Sequence, residues 1–283
     1  MSATASPWIK DVTDATFEQD VFEASKSRPV VIDFWNEYCG PCMALKPILE
    51  QAAVQRDGAF QLAKCNTNHT PRAAQEFGVQ GIPAVFAVID GKVVDFFNGL
   101  IPQHAVDQWL DGLALHQTFL DAERLEQTDP AESENLYRKL LDAREDFAEA
   151  RIGMARALLA QNEPEAARDE IAKLERRGYL EPEAQKVLAQ LNLDSQKDVD
   201  LDGAQQAADS NPDDLDAQIH LAEALAGHGQ HESALDRLLT VIEKQKTGAG
   251  ETAREKMLEI FKVLGDDNDT TREYRRKLSS LLF

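Results

Sequence analysis

The chain has 283 residues, 43% of them hydrophobic and 28% charged, and fifty acidic against thirty basic side chains leave a net charge of -20. The length suits two domains better than one, and the hydrophobic share supports a core rather than a disordered tail. The charge argues against a nucleic-acid partner, since a polyanion would be repelled.

No run approaches the ~20 apolar residues that cross a bilayer, so no membrane partner is expected. The opening MSATASPWIKDVTDATFEQD lacks a basic start followed by an apolar stretch, and acids arrive by Asp11 and Asp14. It reads as neither a signal nor a transit peptide, and a cytoplasmic location is expected. The three cysteines, Cys39, Cys42 and Cys65, are too few for a disulfide scaffold.

In chain order, Pro29–Trp35 (PVVIDFW) is a short β-branched apolar run with the pattern of a buried strand. Cys42–Gln55 carries apolar residues at helical spacing, with Pro47 expected to kink it. Phe60–Cys65 alternates like a second strand, and Pro71–Phe77 reads as a short helix. Ala84–Ile89 and Lys92–Phe97 flank Asp90-Gly91, a two-residue hairpin signal. His104–Leu115 is an amphipathic helix that closes the domain. The order β-α-β-α-β-β-α predicts an α/β domain over residues 1–115, with a central mixed sheet flanked by helices.

Residues 116–283 read as all-α. Ala150-x-Ile152-x-x-Ala155-x-Ala157-Leu158 returns as Ala217-x-Ile219-x-x-Ala222-x-Ala224-Leu225, 67 positions later, with Ala184 and Ala189 between. A period near 34, small residues at helix contacts, and the following Ala167 and Ala234 resemble the tetratricopeptide repeat. Asp129-Pro130 and Asn211-Pro212 are turn or cap signals between helices. Three to four helical hairpins are expected; a plain helical bundle is the alternative.

The chemistry concentrates in Trp35-Asn36-Glu37-Tyr38-Cys39-Gly40-Pro41-Cys42, which leaves a strand and opens a helix. A cysteine at a helix N-terminus meets unpaired N–H groups and the positive end of the helix dipole, both of which favour thiolate. Cys39 is expected as the exposed attacking thiolate and Cys42, one turn on, as the resolving thiol. Gly40 and Pro41 hold the sulfurs close. A structural zinc site would need four ligands, and no second cysteine pair exists. His228 and His231 share a turn without a third ligand, so no metal is expected there, and no cofactor is expected elsewhere.

The run VVIDFW, the motif WNEYCGPC and Gly81-Ile82-Pro83 together resemble the thioredoxin family over residues ~8–115. The resemblance implies that Asp33 is a buried acid exchanging a proton with Cys42, and that Lys64 is the lysine near that acid. It implies that Pro83 is a cis-proline which, with Ile82, pairs with substrate backbone. Gly99 then gives substrate close approach, and Trp35 and Tyr38 form the surface around the dithiol. Read without the resemblance, Asp33 is a strand-edge acid, Lys64 a solvated strand end, Pro83 a loop proline, Trp35 a core residue and Cys65 an inert thiol. Tyr38 stands where the family usually has Trp, and Met43 where a lysine is common.

The combination of a thioredoxin-like domain, degenerate repeats and the ending FKVLGDDNDTTREYRRKLSSLLF resembles the bacterial chaperedoxin family (CnoX/YbbN) over nearly the whole chain. That resemblance implies a holdase that binds unfolding or oxidised client proteins and passes them to GroEL and DnaK, with thioredoxin reductase as the recycling partner. Tyr274, Leu278, Leu281 and Leu282 share one helical face beside Arg275, Arg276 and Lys277. This segment reads equally as a cap on the last hairpin or as a docking helix for GroEL. No nucleotide-binding loop is visible. The sequence leaves three functions open: a redox-active co-chaperone, a dedicated protein-disulfide reductase whose repeats select substrates, and a scaffold with a vestigial dithiol.

Overall fold

A computed structural model of the chain describes residues 6–282. Residues 1–5 of the stretch read above for a leader, and Phe283 of the Leu-Leu-aromatic ending, lie outside the described residues. Two units are present, Met1–Asp121 and Ala122–Phe283. The sequence placed the change in composition at 115/116.

The first unit is a thioredoxin-like α/β domain. Its five strands are β1 (Ile9–Val12), β2 (Val30–Trp35), β3 (Gln61–Asn66), β4 (Ala84–Ile89) and β5 (Lys92–Asn98), in the order β1-β3-β2-β4-β5. β1, β3 and β2 run parallel, and β4 and β5 are antiparallel additions. The helices are α1 (Gly40–Gln55), α2 (Pro71–Glu76) and α3 (Gln103–Leu125). Because side chains alternate along a strand, Val31, Leu62, Val85 and Ala87 face α1 and α3 and pack against Leu45, Leu49, Val106 and Leu110. Their neighbours Val30, Ile32, Phe34, Ala63, Cys65 and Phe86 fill the opposite core with Phe17, Val21, Ala73 and Phe77. Asp90 (φ 52°) and Gly91 (φ 73°) both take the left-handed conformation that a tight hairpin turn demands.

Three features depart from the expected elements. β1 is an edge strand of four residues in which Lys10 and Asp11 are exposed, too short and too polar for an alternation signal. A π-helical segment (Glu18–Glu23) and a 3-10 turn (Ala24–Lys26) precede β2. The closing helix α3 runs on to Leu125 instead of stopping at Leu115. No Pro interrupts it, and the first strong stop is Asp129-Pro130. α1 continues past Pro47 as one helix.

The second unit is helical and tetratricopeptide-like. Among the described residues it holds α4 (Pro130–Ala143), α5 (Ala148–Ala160), α6 (Pro164–Glu175), α7 (Pro182–Asp194), α8 (Leu201–Ser210), α9 (Leu215–Gly227), α10 (His231–Lys244), α11 (Ala249–Leu264) and α12 (Asp269–Leu282). Asp129 and Asp214 cap α4 and α9 by accepting the Glu132 and Ala217 amides at 3.1 and 3.0 Å. Ala150, Ala155, Ala157, Ala167, Ala184, Ala189, Ala222, Ala224 and Ala234 are buried where helices meet. Ala217 is only half-buried. Among the described residues, no helix is long and apolar enough to cross a membrane.

Candidate active site

The site grows from the β2–α1 junction. β2, the central strand, is buried along its length and ends at Trp35, so the chain emerges at the strand's C-terminal end and must turn into α1. Cys39 is the N-cap: its backbone is extended, and its Sγ accepts the Cys42 amide at 3.1 Å, meeting one of the helix's unpaired donors. Pro41 occupies the first turn, where a missing N–H costs nothing. Cys39 and Cys42 are joined as a disulfide with Cα atoms 5.2 Å apart. Cys42 is fully buried, whereas Cys39 is partly open.

Ile82–Pro83 is a cis peptide bond, and the Ile82 carbonyl oxygen lies 3.6 Å from Cys39 Sγ. The Pro83 carbonyl accepts the Gly99 amide at 2.8 Å, and Gly99 takes φ 82°, a conformation that favours glycine. Tyr38 is 88% exposed beside the disulfide. Trp35 is half-buried, and its indole N–H has no hydrogen-bond partner. From Ile82 and Pro83 a groove of about 610 Å³ runs past Phe77, Val79, Phe86 and Phe96. Phe96 is more than half exposed and stacks on Phe86 at 5.5 Å.

On the α1-facing side of β2, in register with Val85, Asp33 is buried to 1% exposure, and its Oδ1 makes no hydrogen bond. Burial pushes its carboxyl up to about 7, with Glu50 adding to the rise and Lys46 and Lys64 opposing it. The parallel register sets Asp11, Lys64 and Asp33 side by side across β1, β3 and β2. Yet the Lys64 ammonium pairs with Asp11 and Glu50, at 3.2 Å each. Burial alone would lower this ammonium, but the hydrogen bonds to Asp11 and Glu50 outweigh it and hold the group above the ordinary lysine value. Cys65 faces the opposite core, where burial drives its thiol far above the ordinary range and keeps it protonated.

Asp11, Lys46 and Glu50 are participants that sequence reasoning missed. One signal was available: Cys42, Lys46 and Glu50 stand at i, i+4 and i+8, on one stripe of α1. Phe96 was also missed, because its exposure follows from β5 being an edge strand.

At the other end of the chain, Tyr274 and Leu278 lie inside the helical core, with Leu281 and Leu282 packed partly buried against it. Tyr274 Oη donates to Asp236 Oδ1 at 2.7 Å. Arg275 and Arg276 are exposed, the former paired with Asp266 at 2.6 Å. Within the same unit, a groove of about 500 Å³ is lined by Leu159, Ala160 and Val187 together with charged groups, among them Arg156, Glu183 and Lys186. His228 and His231 lie at the α9–α10 turn and α10's start, and His231 Nδ1 has no partner.

Comparison with known proteins matches each part. The thioredoxin family profile covers residues 8–112, and two tetratricopeptide-repeat profiles cover 124–191 and 194–283. Thioredoxin 1 of Nostoc sp. is 35% identical over 111 residues, spanning 39% of this chain and 97% of its own length. The thioredoxin of Rhodospirillum rubrum is 36% identical over 103 residues, spanning 36% of this chain and 97% of its own. An uncharacterized protein of Mycobacterium tuberculosis is 28% identical over 285 residues, spanning 97% of this chain and 86% of its own.

Proposed function

Given that the chain belongs to the thioredoxin family, we propose that it is a redox-active co-chaperone of the chaperedoxin type. In this reading it holds unfolding proteins, limits their aggregation and over-oxidation, and reduces their disulfides. One observation carries the reading: a Cys39–Cys42 pair set against Ile82–Pro83, opening α1 directly after the strand that buries Asp33, in a chain that continues into tetratricopeptide repeats.

The exchange is a balanced two-electron transfer. The Cys39 thiolate attacks a client disulfide, forming a Cys39–client S–S bond and releasing one client sulfur as a thiolate that takes up a proton. The Asp33 carboxylate then removes the Cys42 proton, and the Cys42 thiolate attacks Cys39 Sγ. The second client sulfur leaves and is protonated, so the client gains two electrons and two protons while the pair becomes the disulfide described above. A carboxyl titrating near neutrality suits this task, because it holds both states at working pH. The backbone at Ile82 and Gly99 and the exposed Tyr38 would position the client strand.

Holding is assigned to the helical unit, whose groove between Leu159 and Val187 offers apolar surface, while the net charge of -20 would keep a loaded complex dispersed. Transfer to GroEL- and DnaK-type foldases in the cytoplasm, and recycling by a thioredoxin reductase, complete the proposal. Docking through α12 would use Arg275, Arg276, Leu281 and Leu282, since Tyr274 and Leu278 are committed to the core.

The test compares the reduced chain, the oxidised chain and Cys39→Ser/Cys42→Ser for insulin-disulfide reduction and for light scattering by a heated client enzyme. The reduced chain should do both, and the double variant should suppress scattering without reducing insulin. A double variant that loses both activities would instead favour the dedicated reductase, and an intact chain that suppresses scattering but never reduces insulin would favour the scaffold.

A further inference from the structure

We infer that Lys46, carried on the same stripe of α1 as Cys42, is a positioning residue of the dithiol site that supplies the positive charge facing the buried Asp33 carboxyl. The inference rests on the dithiol exchange proposed above, and it moves to Lys46 a role that the family resemblance gives to Lys64.

The groups around Asp33 can be taken element by element. β3 presents Lys64 in register, β4 presents the apolar Val85, and β1 contributes Asp11 through its pair with Lys64. α1 presents Cys42, Lys46 and Glu50. Lys64 is held between Asp11 and Glu50, so that trio carries a net negative charge and offers Asp33 little attraction. Lys46 is differently placed. Among the described residues it makes no ion pair, and its ammonium sits 4.6 Å from the centre of the Trp35 ring. A ring face attracts a cation without neutralising it, so Lys46 is kept beside β2 with its charge unspent.

The buried Oδ1 of Asp33 accepts no hydrogen bond, so through-space attraction carries weight in favouring the ionised form. Of the two cations that favour ionisation, Lys46 acts more strongly than Lys64. The consequence is chemical: Asp33 must be ionised to take the Cys42 proton, burial opposes ionisation, and Lys46 offsets that opposition. Lys46 is also the first cation on α1 after Cys39, because Met43 follows Cys42 directly.

The experiment titrates the Asp33 carboxyl by carbon-13 NMR in the full chain, alongside the pH profile of single-turnover disulfide reduction. Lys46→Met should move the Asp33 midpoint upward by about one pH unit, the low end for an opposite charge nearby, with the pH profile following. Lys46→Arg should restore both, and Lys64→Met should move the midpoint less than Lys46→Met does. An unmoved midpoint in Lys46→Met, or a larger displacement in Lys64→Met, overturns the inference. Because the titration needs no client, it stands apart from the proposed function: a wild-type chain that reduces nothing, yet whose Asp33 responds to Lys46, would sink the proposed function and leave the link between Lys46 and Asp33 standing.

Discussion

At the scale of single residues, Asp33 has the sharpest consequence. Its carboxyl is raised from 3.8 to about 7 in the folded chain, chiefly by burial. Between those values the native state holds a proton that the unfolded state has released, so stability falls as pH rises through that window and levels off above it. Asp33→Asn removes this one contribution, so the difference in stability between variant and wild type isolates it. The variant should therefore gain on the wild type from about pH 4 to pH 7, by about 4 kcal/mol at most, measured by denaturant unfolding of the oxidised proteins at several pH values. It should also slow the resolution of the mixed disulfide by Cys42. A stability difference that does not vary with pH would show that Asp33 does not titrate in this window.

At the scale of elements, the helical unit depends on close approach where small residues meet large ones. Tyr137 of α4 is fully buried, and its hydroxyl donates to Glu126 at 2.6 Å, which Arg156 of α5 also binds, at 2.7 and 2.8 Å. Gly153 of α5 lies directly against this ring, and a methyl group there would overlap it. Gly153→Ala should force Tyr137 from its place and break its bond to Glu126, costing ~3 kcal/mol by overpacking and lost hydrogen bonding. A lower melting temperature of the helical signal checks this, with unchanged insulin reduction as the control.

The same scale separates what the sequence revealed from what it hid. β2, α1, β3 and the β4–β5 hairpin announced themselves, since β2 and β4 read as β-branched runs, Phe60–Cys65 alternates and Asp90-Gly91 supplies two left-handed residues. β1 was hidden because a four-residue edge strand with exposed Lys10 and Asp11 resembles any polar segment. The dithiol and Asp33 could be read from one contiguous stretch. Lys46 and Glu50 share a legible stripe of α1 with Cys42, but the meeting of that stripe with Asp33 is settled only by tertiary packing. Likewise Lys64 was legible as a position but not as an ion pair, since its partners Asp11 and Glu50 come from β1 and α1. The α12 face that read equally as cap or dock is partly spent on the core, through Tyr274 and Leu278.

At the scale of the whole molecule, the proposed function joins two activities in one chain: electron exchange at Cys39–Cys42 and the gripping of unfolded polypeptide by stacked helices. Each is ordinary alone; in the proposed function they serve the same client. The most direct measurement uses Cys42→Ser, which retains the attacking thiol but lacks the resolving one, incubated with a heat-labile protein that contains a disulfide. The expected product is a soluble complex, covalently joined through Cys39 and released by added thiol, while Cys39→Ser/Cys42→Ser keeps the same client soluble with no covalent adduct. A client that precipitates at the same rate with or without the chain, and forms no adduct with Cys42→Ser, would contradict it.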